Sequence, residues 1–425
     1  MATNRREFLN AGAAALAAGS MVHSSVASAE PLRPLRLGIV GCGGRGGGAI
    51  NDSLTINEAV TLVAASDLFP EKCIAVRKAM MAEHPGKVAL PDDAIHGGLD
   101  GGRRVIDDPN VDVVLLTTSP GFRPGLIRDA VEAGKHVFAE KPVCVDPAGY
   151  RICLTAHDRA VEKGTAIVTG TQYRRQVNYL GAIEQIRQGA IGDLVGGESK
   201  YCSTGIWYRP RKQGVSDTEY QLDNWMHFIW ASGDHICEQS VHNIDTMNWV
   251  MGANPVSAFG SGGRFTRPDD SEMWDSFSVE YDYPGGRIVT FMSRQIPGSA
   301  TDVSNVFHGT KGSCHIGASN VGSKIVDREG REIWRLKGSI SDAYRQEHKD
   351  LVDSIRAGKP IVELRQTADS SLAAVLGRVA AYTGQRVTWK FLSEESKLDL
   401  FPKDLAWDAS RPPPSHAIPG RTKLV

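Results

Sequence analysis

Apolar and polar positions follow two regimes along this chain. Between Leu35 and Thr169, short apolar runs recur between segments with helical spacing. Leu35–Val40, Val60–Ser66, Val111–Thr117, His136–Ala139 and Ala166–Thr169 read as strands, because runs apolar on both faces suit a buried parallel sheet. Helical stretches lie between them: one to about Ile56, one carrying Leu126, Ile127, Ala130 and Val131 before Gly134, and one from Pro147 to Glu162. Strands alternating with helices predict a doubly wound α/β domain.

The pattern then changes. Tyr179–Gln188 reads as a helix and Gly192–Tyr201 as a strand. A loop rich in Trp, Tyr and Arg runs from Ile206 to Trp230, and His235–Val250 fits a single helix. Phe277, Val279, Tyr281 and Tyr283 alternate with polar residues, Pro284-Gly285-Gly286 turns the chain, and Val289 and Phe291 resume the alternation, which predicts a hairpin with one buried face. Helices at Ala343–Ala357 and Thr367–Tyr382 close this second region. The polar, Pro-rich tail from Ser393 is expected to wrap the surface or a neighbouring subunit.

Composition is that of an ordinary globular chain, with 41% hydrophobic and 23% charged residues. A net charge of -1 gives no attraction for nucleic acid or anionic membrane. The seven cysteines include no C-x-x-C pair, so no structural zinc site is expected; most should be buried and reduced, with a disulfide not required. Asn4-Arg5-Arg6-Glu7-Phe8-Leu9 forms a twin-arginine pattern, followed by an Ala-rich stretch and the small-residue cleavage site Ala27-Ser28-Ala29. The expectation is export, to the periplasm or beyond, with no membrane span. The expected division is 1–29 leader, 30–170 first domain, 171–390 second domain and 391–425 tail.

Gly41, Gly43 and Gly46 form G-x-G-x-x-G between a strand and a helix, and Asp67 ends the next strand. That context suits a dinucleotide: the glycines give a tight turn, close backbone approach and tight packing, and the helix N-terminus faces the phosphates. Gly44, Arg45, Thr118, Glu140 and Lys141 join the candidate cofactor residues. Asp67 can accept from both ribose hydroxyls and would repel a 2′-phosphate, so NAD is favoured over NADP; Lys72 keeps the second open.

Glu140-Lys141-Pro142 follows the strand His136–Ala139, where ligands of doubly wound sheets bind. Glu238 and His242 stand four apart, on one face if helical, and an acid–imidazole pair suits acid/base work. The same pair also fits a metal site or a structural contact. Trp207, Tyr208, Arg209 and Arg211 suit either sugar stacking or a solvated loop. Asn224, Trp225 and His235 are candidates for the pocket wall, whereas Asn243 and Trp274 read as structural.

Together, the Gly41 turn, Ala133–Pro142, the acid-x-x-x-His pair with Asp245 and Trp249, Gln346-Glu347-His348 and Gly377-Arg378 resemble the Gfo/Idh/MocA oxidoreductases, from about Leu35 to Trp389. The resemblance implies an N-terminal Rossmann domain plus a C-terminal α+β domain with an open, mainly antiparallel sheet, and a homo-oligomer, dimer or tetramer. It implies that Lys141 binds a substrate hydroxyl and that His242 is the base during hydride transfer with a sugar or polyol. Tyr173 and Arg174 would line the substrate pocket, with Tyr208, Arg209 and Trp225 as further candidates. Two departures stand out: Glu238 occupies a position usually held by aspartate, and Gly121 supplies no side chain where relatives carry Asn or His. An exported enzyme has no NAD pool, so the cofactor should stay bound through turnover. Sugar oxidoreduction ranks first, redox-neutral glycoside cleavage second, and a non-catalytic sugar- or NAD-binding protein third.

Overall fold

The computed structural model describes residues 32–411 and 415–425; the expected leader, 1–29, lies outside the described residues. The first sheet contains β1 (Leu35–Val40), β2 (Val60–Asp67), β3 (Ile95–Gly97), β4 (Val113–Leu116), β5 (His136–Ala139) and β6 (Ile167–Thr169). All pairings within it are parallel, in the order β3-β2-β1-β4-β5-β6. β4 is buried at every position, as expected for a strand with helices on both sides. The order reverses between β1 and β4, and this switch point opens the crevice where doubly wound folds bind ligands.

Local chemistry sets the helix ends. Asp146 caps the helix Pro147–Lys163 by accepting from Gly149 N at 2.6 Å, and Gly164 ends it in the left-handed region at φ +65°. The helix Pro70–Glu83 and β3 escape the sequence pattern. That helix buries only Cys73, Val76 and Met80, too thin a stripe to impose a visible period.

The second sheet has nine strands: β7 (Leu194–Ser203), β8 (Ser257–Gly263), β9 (Ser276–Tyr283), β10 (Arg287–Gln295), β11 (Asp302–Gly309), β12 (Gly312–Gly317), β13 (Gly322–Asp327), β14 (Glu332–Leu336) and β15 (Val387–Thr388). Their order is β14-β13-β12-β11-β7-β10-β9-β8-β15. Only β7 and β10 run parallel; every other pairing is antiparallel. The β9–β10 hairpin turns at Gly285 and Gly286, both at positive φ, and buries Phe277, Val279, Tyr281, Tyr283, Val289 and Phe291 on one face. The helix Leu364–Thr383 lies across the sheet and is buried along nearly its whole length. Its Arg378 donates to Gly233 O at 2.8 Å and Val145 O at 2.9 Å, tying both domains together. All seven cysteines are buried and unpaired.

Two features differ from the sequence reading, and a third selects between its alternatives. First, His235–Val250 is not one helix. It is a short turn of helix, His235–Glu238, and a second helix, Val241–Met251, with Gln239 and Ser240 between them. Second, the helix Ile340–Arg356 does not close the second domain. Its Leu351, Val352 and Ile355 pack into the core under β1, β2 and β5, and the following chain bridges Val362 to Ile167. Third, the tail folds onto its own chain, with Leu400 N donating to Asp146 Oδ2 at 2.8 Å. Among the described residues, no helix is long and apolar enough to cross a membrane.

Leu351 is 2% exposed. Leu351→Ala is therefore expected to lower unfolding free energy by about 2–5 kcal/mol in denaturant titrations. A loss under about 0.5 kcal/mol, the size of an ordinary surface change, would remove this helix from the Rossmann core.

Candidate active site

The glycine turn is shaped by contact. Gly41 sits at φ +98°, and a Cβ there would meet the Thr117 carbonyl carbon at 2.7 Å. A Cβ on Gly46 would fall 1.9 Å from Gly41 O, so only glycine lets the helix Gly44–Ile56 start against the turn. Thr117 Oγ1 donates to Gly41 O at 2.5 Å and closes the turn from β4. The helix itself has neither a capping side chain nor an acidic residue in its first turn. Its first N–H groups thus lack side-chain acceptors, and the space beside Gly43 and Gly44 is open. Thr118 Oγ1 nearby is buried without a partner. An uncapped helix end in open space, with an orphaned hydroxyl beside it, fits a bound diphosphate.

Asp67 stands at the end of β2. Its Oδ2 accepts from Cys42 N at 2.7 Å, its Oδ1 accepts from Phe69 N at 3.0 Å, and Lys72 Nζ lies 3.8 Å away. The carboxylate is held in place with acceptor capacity left over. Asp67 shares a cleft of about 740 Å³ of empty space with Gly41, Gly43, Phe69, Thr118, Leu222 and Trp225.

At the end of β5, the backbone is fixed by Arg123. This fully buried guanidinium donates to Pro142 O at 2.7 Å and to Thr118 O. Burial pushes its pKa down to about 10, opposed by Glu140 and Glu238, so it stays charged near neutrality. Glu140 is buried; Arg45 Nε lies 3.1 Å from its Oε1, without the alignment of a hydrogen bond. Arg45 also reaches Asp52 at 3.2 Å and stacks over Tyr344 at 4.5 Å, so it connects the phosphate turn to the catalytic strand end.

Lys141 Nζ donates to Glu238 O at 2.6 Å and Glu238 Oε1 at 3.0 Å. Glu238 Oε2 accepts from Gln239 Nε2 at 2.5 Å, and Tyr201 OH donates to Gln239 Oε1 at 2.9 Å. The carboxylate thus pairs with Lys141 and not, as the four-residue spacing suggested, with His242: the helix breaks between them. His242 packs instead at 5.3 Å from the Tyr173 ring, which stacks on Tyr179 at 4.4 Å. Burial, then the Lys141 charge, holds the imidazole well below its usual range, so it is neutral at pH 7. Among the described residues, no three His, Cys, Asp or Glu side chains converge as metal ligands.

Several proposed substrate residues are committed elsewhere. Arg174 makes a bidentate pair with Asp245, both shortest contacts 2.8 Å, and lies over Trp249. Asp245 also accepts from Ser370 Oγ at 2.7 Å, so Arg174 anchors the loop after β6. Tyr208 OH bonds Asp270 and Tyr220, and Arg209 bonds Asp223 O and stacks on Trp207. Trp225 lines the cleft with Asp67, a cleft whose lining does not include Lys141. His235 is a core residue bonded to Asp234 and Ser293, and Asn224 bonds the Arg209 backbone. Gly121 has a packing reason: a Cβ would meet Trp230 O at 2.3 Å. Asn243 and Trp274 are structural, as expected. Sequence reasoning missed Phe69, Phe122, Leu222 and Tyr344. Only Tyr344, four positions before the noted Gln346–His348 stretch ends, carried a nearby signal.

An uncapped phosphate turn, an acidic β2 terminus and a lysine–carboxylate pair beyond β5 define a two-domain dinucleotide-binding oxidoreductase. Residues 35–168 match the model of the oxidoreductase family with an NAD-binding Rossmann fold, and residues 179–315 match the GFO/IDH/MocA C-terminal domain. The two matches together span well over half of the chain, which belongs to the GFO/IDH/MocA family. It is 23% identical over 360 residues to myo-inositol 2-dehydrogenase of Thermotoga maritima, covering 81% of this chain and 95% of that one. It is 28% identical over 256 residues to glycosyl hydrolase family 109 protein 1 of Shewanella sp. (strain ANA-3), covering 59% of this chain and 52% of that protein. The crystal structure of aldose–aldose oxidoreductase from Caulobacter crescentus, complexed with glycerol, shares the fold: TM-score 0.64, 20% identity, 84% of this chain and 100% of that one.

Gly46→Ala forces the helix start away from Gly41. Fluorescence titration is expected to show NAD affinity reduced at least ~tenfold, the effect of roughly 1.4 kcal/mol. Unchanged affinity would mean the nucleotide does not use this turn.

Proposed function

We propose that this chain is an exported oxidoreductase that keeps NAD bound and transfers hydride at a CH–OH carbon of a sugar or polyol. The carrying observation is the Lys141 ammonium held by Glu238 beyond the carboxyl end of β5, with the buried His242 on the helix that follows Glu238. Gly41, Gly43, Gly44, Arg45, Gly46, Asp67 and Thr118 would hold the dinucleotide. When bound, it supplies the acceptor for the electron pair leaving the C–H bond, and returns it in the reverse direction.

The side chains handle the proton and the oxygen. An ammonium has three N–H donors, and Lys141 spends two on Glu238. The third is available to a substrate hydroxyl, which it orients and whose developing negative charge it stabilises. His242, already neutral, accepts the hydroxyl proton as the carbonyl forms. Reduction runs the same transfers backwards, with protonated His242 as the acid.

Asp67 supports NAD over NADP, since a 2′-phosphate would face its carboxylate; Lys72, 42% exposed, softens that repulsion without removing it. The twin-arginine pattern supports export, and export without a nucleotide pool supports a retained cofactor. An oligomer is inferred from the family resemblance alone. A second reading, redox-neutral glycoside cleavage, is favoured by the similarity to glycosyl hydrolase family 109 protein 1. The deciding assay uses purified protein without added nucleotide. Oxidation of one sugar coupled to reduction of another supports the first reading, and release of an aryl aglycone supports the second. Failure to bind NAD at all sinks both.

Lys141→Ala and His242→Ala should each lower kcat by about 10²–10⁴-fold while the protein still folds. Because the imidazole titrates well below 6.5, the acid limb of the kcat/KM profile should also lie well below that pH. Rates that decline on falling through pH 6.5, or wild-type rates in both variants, would place the base elsewhere.

A further inference from the structure

The cleft that holds Asp67 is lined by both domains. Phe69, Leu99 and Phe122 form one side, and Leu222 and Trp225, from the second domain, form the other. Behind them lies a small apolar core that the catalytic site does not need. Tyr220, Leu222, Phe228, Trp230 and Ala231 pack there with Leu400, Leu405 and Trp407 from the tail.

The tail is fastened at successive points. Trp407 meets the Phe69 ring edge-on at 5.6 Å, and its carbonyl accepts from Ser216 Oγ. Phe401 meets Phe122 at 5.3 Å and Trp230 at 6.0 Å. Beyond Trp407, Asp217 Oδ2 accepts from Arg411 N at 2.7 Å and from Ser410 Oγ at 3.1 Å. Ser216 and Asp217 begin the helix that carries Leu222, so the tail grips the same element that walls the cleft.

We propose that Leu222 and Trp225 are binding residues for the adenosine half of the dinucleotide, and that residues 398–411 form a strap holding that wall closed. This rests on the reading that the protein retains NAD, and supplies its physical means. Asp67 stands where the ribose would bind, and Phe69 and Trp225 line the same cleft, where an adenine ring would lie against aromatic side chains. Leaving requires the wall to move, and the wall cannot move without detaching Trp407 and Phe401 from their partners. Exchange is then limited by tail opening, a step remote from Lys141 and His242.

The test measures nucleotide, not turnover. Full-length wild type, Trp407→Ala, Phe401→Ala and Trp225→Ala are loaded with labelled NAD and chased with unlabelled NAD; retained label is counted after gel filtration. Thermal unfolding with and without NAD confirms that each variant is folded. Trp407→Ala and Phe401→Ala should each release label roughly tenfold faster than wild type, the effect of one lost aromatic contact at the cleft wall. Trp407→Phe should restore most of the retention, and Trp225→Ala should weaken equilibrium affinity as well. Equal release from wild type and both tail variants would overturn the strap, whatever the wild-type rate. Wild type that exchanges within minutes, with Trp407→Ala still tenfold faster, would overturn the retained-cofactor reading and leave the strap standing.

Discussion

The ion pair between Lys141 and Glu238 is the contact on which the site depends. It joins the end of a Rossmann strand to the short helix of the second domain, with side chains only 12% and 9% exposed. Desolvating two charges offsets much of their attraction, so such a pair adds little stability over an apolar replacement. Removing one partner, however, leaves a buried charge alone, at a cost of about 3–5 kcal/mol. The pair is better understood as a positional device. It holds the ammonium beyond β5 and commits two of its protons, while burial, with the Lys141 charge second, holds His242 below its usual range. Glutamate instead of aspartate serves this arrangement, because the Glu238 carbonyl and carboxylate grip the same nitrogen from two sides.

The Rossmann half was legible because its physics is local. A strand apolar on both faces, followed by a turn that only glycine can make, has few other uses. The hairpin from Phe277 to Phe291 was legible for the same reason: alternation shows which face is buried. What local pattern does not show is the object against which a face is buried. The helix Ile340–Arg356 is strongly amphipathic, yet nothing in its spacing says that Leu351 meets the first domain's sheet and not the second's. Spacing also misled at Glu238 and His242. Four residues apart implies one helical face only if the helix is continuous, and here it restarts at Val241.

Existing partners are the other thing that residue type does not show. Arg174, Tyr208 and Arg209 are plausible sugar ligands by type, but Asp245, Asp270 and Asp223 occupy them. The residues that shape the cofactor cleft, Phe69, Phe122 and Leu222, have no chemistry to announce them. They become meaningful only when Trp407, more than three hundred residues from Phe69, is found against it. The division of labour is spatial: polar groups cluster at Lys141, and apolar groups line the cleft beside Asp67.

The count of free proton carriers also bears on the net reaction. Oxidation of a hydroxyl needs one base near neutrality, the role proposed for His242. Elimination of an aglycone after oxidation needs more: a base for the acidified C–H and an acid for the departing oxygen. The other groups around the lysine are poorly suited. Glu238 is engaged by Lys141 and Gln239. Tyr173 is held above its usual range by burial, as is Tyr344, which Glu140 pushes higher still. A phenol raised by burial holds its proton more tightly, so Tyr344 serves neither as the second base nor as a strong acid for a leaving oxygen. The missing parts then include the second base, which His242 could supply only by first losing the proton it took from the hydroxyl. Simple hydride exchange asks nothing of the site beyond what its residues already offer, and that asymmetry is the reason to rank it first.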